Sequence, residues 1–281
     1  MARVTPRPPN APTPPSRPRL RGTLRLRPPR ATESVAIDGK QTKGGVTLPE
    51  FVPWERFIRQ FEWKRGEHLT TIGPTGSGKT VLNRQLLRLR AQVVVLGVKQ
   101  RDPELYGPFQ KEGYELRRTF DADWIFDDEE PDLILYVPTT TKQRATERRK
   151  ELGDRFRQAL SDIYREGYWC VYCDDVSYLA SQLGVAPELE ELWLLGRSEG
   201  VTLVASSQEP VNIPVMAYGM ATHLFLFNNP DIYRARRMAE LTGVNREIAQ
   251  ETILSLPPHE FLYINKNTKQ LLRSRVARKT G

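Results

Sequence analysis

The sequence predicts an α/β fold, with a mostly parallel β-sheet flanked by helices, from three observations. A short β-type run at residues 68–72 leads into a glycine-rich loop at 73–80, and apolar residues at helical spacing follow that loop. A second apolar run, 169–173, ends abruptly in two aspartates, and a third, 201–206, ends in a serine and a glutamine. Buried strands of parallel sheets deliver such polar residues to the carboxyl edge, where ligands bind.

The glycine-rich loop reads Gly-Pro-Thr-Gly-Ser-Gly-Lys-Thr and fits G-x-x-x-x-G-K-[ST] at every fixed position. Its glycines let several backbone N–H groups point at one anion, Lys79 supplies a cation for the outer phosphates, and Thr80 offers a hydroxyl to Mg²⁺. The following helix begins at these phosphates, where its dipole favours negative charge. We therefore predict a site for a nucleoside triphosphate and Mg²⁺ formed by Gly73, Pro74, Thr75, Gly76, Ser77, Gly78, Lys79 and Thr80.

Polar residues at the ends of the other two runs complete a candidate catalytic site. Asp174 would hold the Mg²⁺, directly or through water, and Asp175 would polarise the attacking water. The alternative for either aspartate is that it caps the next turn. Gln208 would sense the γ-phosphate, and its alternative is a capping role in a loop.

Charge and proline content divide the chain into three segments. Residues 1–50 carry 10 of the 22 prolines, with 10 basic residues against 3 acidic ones, and residues 266–281 carry 6 basic residues and no acidic one. We expect a disordered, basic, proline-rich arm at 1–48, a nucleotide-binding domain at 49–265 and a basic C-terminal tail at 266–281. Basic ends suit contacts with a polyanion such as DNA, although they also serve solubility alone. The arm is a tether, a DNA arm or a docking peptide for a protein partner.

Several functional classes are disfavoured by the same sequence. Apolar runs are too short to span a bilayer and no secretory signal is present, so we expect no membrane contact and a cytoplasmic location. Cys170 and Cys173 lie in a strand-like run, which favours buried thiols over a redox or zinc site. Aromatic residues at helical spacing, Trp54, Phe57 and Phe61, favour core packing over stacking on a base.

In order and spacing, the motifs resemble the FtsK/HerA superfamily of ring-forming, DNA-pumping ATPases. The resemblance rests on the glycine-rich octapeptide, on Tyr-Cys-Asp-Asp, and on Gly-Arg-Ser-Glu-Gly-Val-Thr-Leu-Val-Ala-Ser-Ser-Gln-Glu-Pro. It runs from about residue 60 to residue 240 and is strongest at 197–210. The superfamily includes chromosome translocases, conjugative coupling proteins and packaging ATPases of some viruses.

The resemblance implies a RecA-like P-loop NTPase core of the ASCE type, in which the strand ending at Gln208 lies between those ending at the loop and at Asp174. It also implies a homohexamer with sites between subunits and, by position, the roles given above for Lys79, Thr80, Asp174, Asp175 and Gln208. Arg197 is the candidate for an arginine that reaches into a neighbour's site, or else a surface residue. Two positions depart from the family, since Asp175 replaces the usual Glu and Glu209 a common basic residue.

These expectations combine into a compact ATPase that hydrolyses ATP to move or package double-stranded DNA as a ring. The short chain favours a viral packaging ATPase, which would be associated with the virion, or a mobile-element transfer protein. The alternatives are a P-loop phosphotransferase and a nucleotide-binding assembly factor without DNA translocation. A GTPase is disfavoured because no guanine-reading N-K-x-D occurs.

Overall fold

The computed structural model describes residues 47–120 and 132–276, and the elements below are those of the described residues. The helices are α1 (Trp54–Gln60), α2 (Lys79–Leu87), α3 (Pro103–Lys111), α4 (Ala145–Glu166), α5 (Val176–Gln182), α6 (Ala186–Leu195), α7 (Val215–Gly219), α8 (Ile232–Glu240) and α9 (Arg246–Ser255). The strands are β1 (His68–Ile72), β2 (Gln92–Leu96), β3 (Glu115–Arg117), β4 (Asp132–Tyr136), β5 (Cys170–Cys173), β6 (Thr202–Ser207), β7 (Ala221–Phe227), β8 (Glu260–Asn265) and β9 (Gln270–Arg275).

These strands form a single mixed sheet in the order β3-β4-β2-β5-β6-β1-β7-β8-β9. The first seven in that order are parallel, and β8 and β9 add an antiparallel hairpin at one edge. The predicted α/β class and the mostly parallel sheet are confirmed. As the resemblance implied, β6 lies between β1 and β5, with Val204 opposite Leu69 on one side and Tyr172 on the other.

Helices cover both faces of the sheet because successive strand residues point to opposite sides. Val94 and Leu96 of β2 face a core formed with α4 to α9, whereas Val93 and Val95 face a second core formed with α1, α2 and α3. The central strands are buried along their whole length, which explains their continuous apolar character in the sequence.

An aromatic cluster joins α1 to the hairpin side of the sheet. The ring of Phe57 lies 5.2 to 6.1 Å, centroid to centroid, from those of Phe225, Phe261 and Tyr263. It is 1% exposed. Phe57 therefore packs in the core, as the helical spacing of the aromatic residues predicted.

The two cysteines are free thiols buried in β5. Burial raises the pKa of Cys170 to about 12 and also raises the pKa of Cys173. Thiols held in the neutral form are poor nucleophiles and poor metal ligands, so the structure favours a packing role for both. No helix in the described ranges has the length and apolar character needed to cross a bilayer.

The chain ends differ from the predicted division at one point. Residues 1–46 of the predicted arm lie outside the described residues, as do 277–281. The predicted tail, however, contributes β9, whose backbone pairs with β8 and whose Arg273 N–H donates to Glu50 O at 2.7 Å. The sequence did not indicate this strand, because three of its six side chains are basic or amide. Only Leu272 and Ser274, two positions apart, are buried in the alternating manner of a strand.

Candidate functional site

The loop at residues 73–80, here called the cradle loop, joins the carboxyl end of β1 to the first residue of α2. Gly76 and Gly78 have φ values of 78° and 107°, a region that favours glycine. A Cβ on Gly73 would lie 2.6 Å from the Cβ of Phe227, so only glycine fits there without movement. The glycines of the motif thus have structural reasons that agree with a loop curled around an anion.

Lys79 lies back across this loop. Its Nζ donates to Gly73 O at 2.7 Å and to Pro74 O at 2.9 Å, and the residue is 8% exposed. Burial lowers the pKa of Lys79 to about 8, and the negative charges of Asp174 and Asp175 offset part of that effect. A phosphate oxygen would offer this ammonium a charged acceptor in place of two carbonyl oxygens.

Thr80 and Asp174 are brought together from α2 and the end of β5. The Thr80 hydroxyl donates to Asp174 Oδ1 at 3.2 Å, and the Tyr172 hydroxyl donates to the same oxygen. Side-by-side hydroxyl and carboxylate oxygens are hard donors that suit Mg²⁺, which keeps several waters and binds few protein ligands. The described residues contain no cluster of three or more His, Cys, Asp or Glu able to hold a metal by themselves. The donor set fits Mg²⁺.

Asp175 has a different environment from its neighbour. It is the N-cap of α5, where its Oδ1 accepts the Tyr178 N–H at 3.0 Å. It is not among the described residues that line the cavity above the cradle loop. The capping alternative therefore describes Asp175 as the structure shows it, and its role toward water stays a prediction.

Gln208 follows β6 and reaches the cradle loop directly. Its Oε1 accepts the Thr75 hydroxyl at 2.8 Å. The next residue, Glu209, is paired with Arg234 of α8 at 2.7 Å. Polar residues from β1, β5 and β6 thus meet at one point of the carboxyl edge.

Arg197 lies where the parallel strands begin, at the end of the sheet opposite to the carboxyl edge. A Cβ on Gly66, two residues before β1, would lie 2.9 Å from Arg197 Cγ. Burial lowers the pKa of His68, the first residue of β1, and the nearby positive charge of Arg197 adds a smaller effect in the same direction. Five residues of β1 separate that end of the sheet from the cradle loop, or about 16 Å at the usual rise of a strand. Arg197 is therefore separated from the site of its own chain.

A cavity of about 650 Å³ lies over the cradle loop. The sequence predicted the lining residues that belong to the cradle loop, together with Asp174 and Gln208. It did not predict Lys99 after β2, or His259 and Arg275 at the open end of the β8–β9 hairpin. Lys99 pairs with Asp102, the N-cap of α3, at 2.9 Å. None of these residues belongs to a recognisable motif, and only the sheet order brings them to the site.

Comparison with known proteins gives structural matches alone, since no protein-family model and no curated protein matches the sequence. The genome-packaging NTPase B204 of Sulfolobus turreted icosahedral virus 2, solved with AMPPCP, matches with a TM-score of 0.57 and 16% identity, over 76% of this chain and 100% of that chain. VirB4 of Thermoanaerobacter pseudethanolicus matches with a TM-score of 0.55 and 10% identity, over 76% and 90%.

The DNA-packaging ATPase B204 of Sulfolobus turreted icosahedral virus also matches, with a TM-score of 0.53 and 15% identity, over 77% of this chain and 100% of that chain. At such identities a structural match shows the fold. The chain thus has the fold of these packaging ATPases and of VirB4, a fold that agrees with the mostly parallel α/β sheet predicted from the sequence.

Proposed function

We infer that the chain binds ATP with Mg²⁺ and hydrolyses it to move double-stranded DNA, working as a homohexameric ring. One observation supports this inference above the others. Lys79, the Thr80–Asp174 pair and Gln208 come from three strand ends distant in sequence, and all line one cavity at the carboxyl edge. That is the edge where ligands of parallel sheets bind.

Each residue has a defined task in hydrolysis. The N–H groups of the cradle loop and Lys79 bind the outer phosphates, and Thr80 and Asp174 hold the Mg²⁺. Bound by Thr80 and Asp174, the Mg²⁺ would supply positive charge that offsets the negative charge developing on the phosphates. Water, polarised by Asp175, attacks the γ-phosphorus and passes its proton to that carboxylate, the bond to the β–γ bridging oxygen breaks, and ADP and inorganic phosphate leave. Gln208, released from Thr75, contacts the γ-phosphate and reports its presence to the loop that Glu209 ties to α8.

The position of Arg197 supports a head-to-tail ring. Because it lies about one strand length from its own cradle loop, it serves catalysis only if a neighbouring copy presents its site there. A repeated contact between one end of a subunit and the other end of the next forms a ring when the rotation between neighbours closes. The inserted guanidinium would stabilise the transferring phosphoryl group.

The charge distribution supports DNA as the cargo. The basic residues of 1–50 and 266–281 offer sequence-independent phosphate contacts, while the body between them is mildly acidic. Genome packaging is the favoured setting because two of the structural matches are genome-packaging ATPases. In that setting the chain would act in the infected cytoplasm or remain associated with the virion, with the N-terminal arm available to a protein partner.

The test is ATP turnover measured across a range of duplex DNA concentrations. We expect stimulation by DNA, and its loss in Lys79→Ala together with nearly all turnover. Lys111→Ala, an exposed substitution at the far end of α3, is the matched control and is expected to behave as the wild type. Turnover that does not change with DNA concentration would contradict translocation.

A second candidate, a nucleotide-binding assembly factor, is favoured by the environment of Asp175. A carboxylate that caps α5 is less available to activate water. This candidate predicts ATP binding with turnover near the uncatalysed rate, and Asp175→Ala would then leave turnover unchanged. Sedimentation with an ATP analogue separates the ring from a monomeric phosphotransferase.

A further inference from the structure

The cavity over the cradle loop continues past the phosphate site, onto the open end of the β8–β9 hairpin. His259 and Val276 face each other across this end, and the Val276 N–H donates to His259 O at 3.1 Å. Both reach the cradle loop, since a Cβ on Gly78 would lie 3.6 Å from His259 Nδ1 and from a Val276 methyl group. Neither residue has a role in the phosphate chemistry described above.

The sheet order gives the bound triphosphate a direction. Asp174 and Gln208, which mark its terminal phosphate, follow β5 and β6 on one flank of β1. The hairpin lies on the other flank, beyond β7. A nucleotide whose γ-phosphate meets Gln208 therefore extends its nucleoside toward the hairpin. The cavity wall that faces the hairpin is formed by α3 and carries Asp102 and Glu104. It lies on the same side of β1 as Asp174 and Gln208, so the hairpin wall is the one left for the nucleoside.

The hairpin end is held in place before any ligand arrives. His259 has a φ of 64°, which is uncommon for a residue other than glycine and is found often at functional sites. Its ring Nδ1 lies 3.4 Å from Ser77 O. Next to it, the buried carboxylate of Glu260 fixes Arg275 at 2.8 Å. The imidazole is thus an exposed flat ring with a fixed position beside the phosphate site.

From this geometry, and resting on the proposed function, we propose that His259 and Val276 form the nucleoside subsite, with the imidazole face against the base. Arg275 is a positioning residue that, through Glu260, keeps the wall in place. The exposed imidazole and the small cavity-facing part of Val276, which is 5% exposed, offer stacking and apolar contact to any base. The subsite accordingly distinguishes nucleotides from inorganic polyphosphate rather than one base from another.

The experiment compares the affinities of ATP and of inorganic tripolyphosphate, both with Mg²⁺, by titration calorimetry on the full chain. His259→Asn removes the ring and keeps a residue type that tolerates positive φ. We expect this variant to bind ATP about fivefold or more weakly and tripolyphosphate as the wild type does. His259→Phe retains a ring and is expected to bind ATP within about twofold of the wild type.

Lys269→Asn is the matched control, because Lys269 has a φ of 60° in the turn at the far end of the same hairpin. It is expected to leave both affinities unchanged. Equal weakening of both ligands in His259→Asn would overturn the proposal, since it would show an effect through Ser77 on the cradle loop. Unchanged ATP affinity in that variant would overturn it as well, and so would a loss of ATP affinity in His259→Phe that leaves tripolyphosphate affinity unchanged, since the cradle loop would then be intact.

The same titrations separate this proposal from the function on which it rests. A wild type that binds ATP no more tightly than tripolyphosphate contradicts the nucleoside subsite and leaves the phosphate site intact. A wild type that binds neither ligand contradicts the nucleotide site itself, and the subsite with it.

Discussion

Acid is expected to destabilise the fold through His68, at the edge of the sheet opposite the cradle loop. The residue is 3% exposed, its Nδ1 accepts the Leu203 N–H at 3.0 Å, and its Nε2 donates to Trp193 O at 3.2 Å. A proton on Nδ1 would face the Leu203 N–H and break that hydrogen bond. Burial accordingly lowers the pKa of His68 to about 4.

The magnitude follows from the difference between this pKa and the ordinary value of 6.5. One pKa unit corresponds to about 1.4 kcal/mol, so the free energy of unfolding is about 3 kcal/mol higher where His68 is neutral in both states than where it is protonated in both. Because the unfolded chain binds the proton more tightly, this stability is complete above about pH 6.5 and is lost as the pH falls toward 4. Between pH 7 and pH 4.5 the loss from this residue amounts to about 2 kcal/mol.

The assay is urea unfolding of the wild type and of His68→Asn at both pH values. Asparagine keeps an acceptor for the Leu203 N–H and does not titrate, while all carboxylates and other histidines contribute equally to both proteins. We expect the free energy of unfolding to fall by about 2 kcal/mol less in the variant than in the wild type. Equal losses in the two proteins would refute the reasoning.

Three further predictions concern the core, a helix cap and the thiols. Phe57→Ala is expected to lower the free energy of unfolding in urea by about 3 to 5 kcal/mol, since it empties a fully buried position among aromatic rings; a change below about 1 kcal/mol would contradict this packing. Asp102→Ala removes the acceptor of the Leu105 N–H at 3.0 Å and is expected to lower it by about 1 kcal/mol, whereas Asp102→Asn retains most of that stability. The folded protein is expected to show no thiol reactive with a disulfide reagent at pH 8 and two in denaturant, because burial raises the pKa of Cys170 to about 12 and that of Cys173 as well; a reactive thiol in the folded state would place β5 at the surface.

The sequence predicted the centre of the sheet better than its edges. Buried central strands have continuous apolar runs, and the runs before the cradle loop, Asp174 and Ser207 became β1, β5 and β6. In the edge strand β9 buried Leu272 and Ser274 alternate with half-buried Arg273 and Arg275, and this charge resembled that of a tail. Its pairing depends on β8 and on residues near Glu50, more than 200 positions away, which no local pattern contains.

The same distinction holds for the site. Residues of the cradle loop and Gln208 were predicted because their chemistry follows strand ends in a fixed pattern. The cap formed by Asp175 depends on the first turn of α5, and the separation of Arg197 from the cradle loop depends on the length of β1. His259 becomes part of the cavity only because β7 and β8 continue the sheet beyond β1. Its position at the site could therefore not be predicted from the sequence.

The most direct test of the central claim is a structure of the full chain with Mg²⁺ and a non-hydrolysable ATP analogue. The account predicts that Lys79 and the N–H groups of the cradle loop contact the outer phosphates, that Thr80 Oγ1 lies about 2.1 Å from the metal with Asp174 beside it, and that Gln208 turns from Thr75 to the γ-phosphate. A triphosphate bound elsewhere, or bound with both Asp174 and Gln208 turned away from it, would contradict the account.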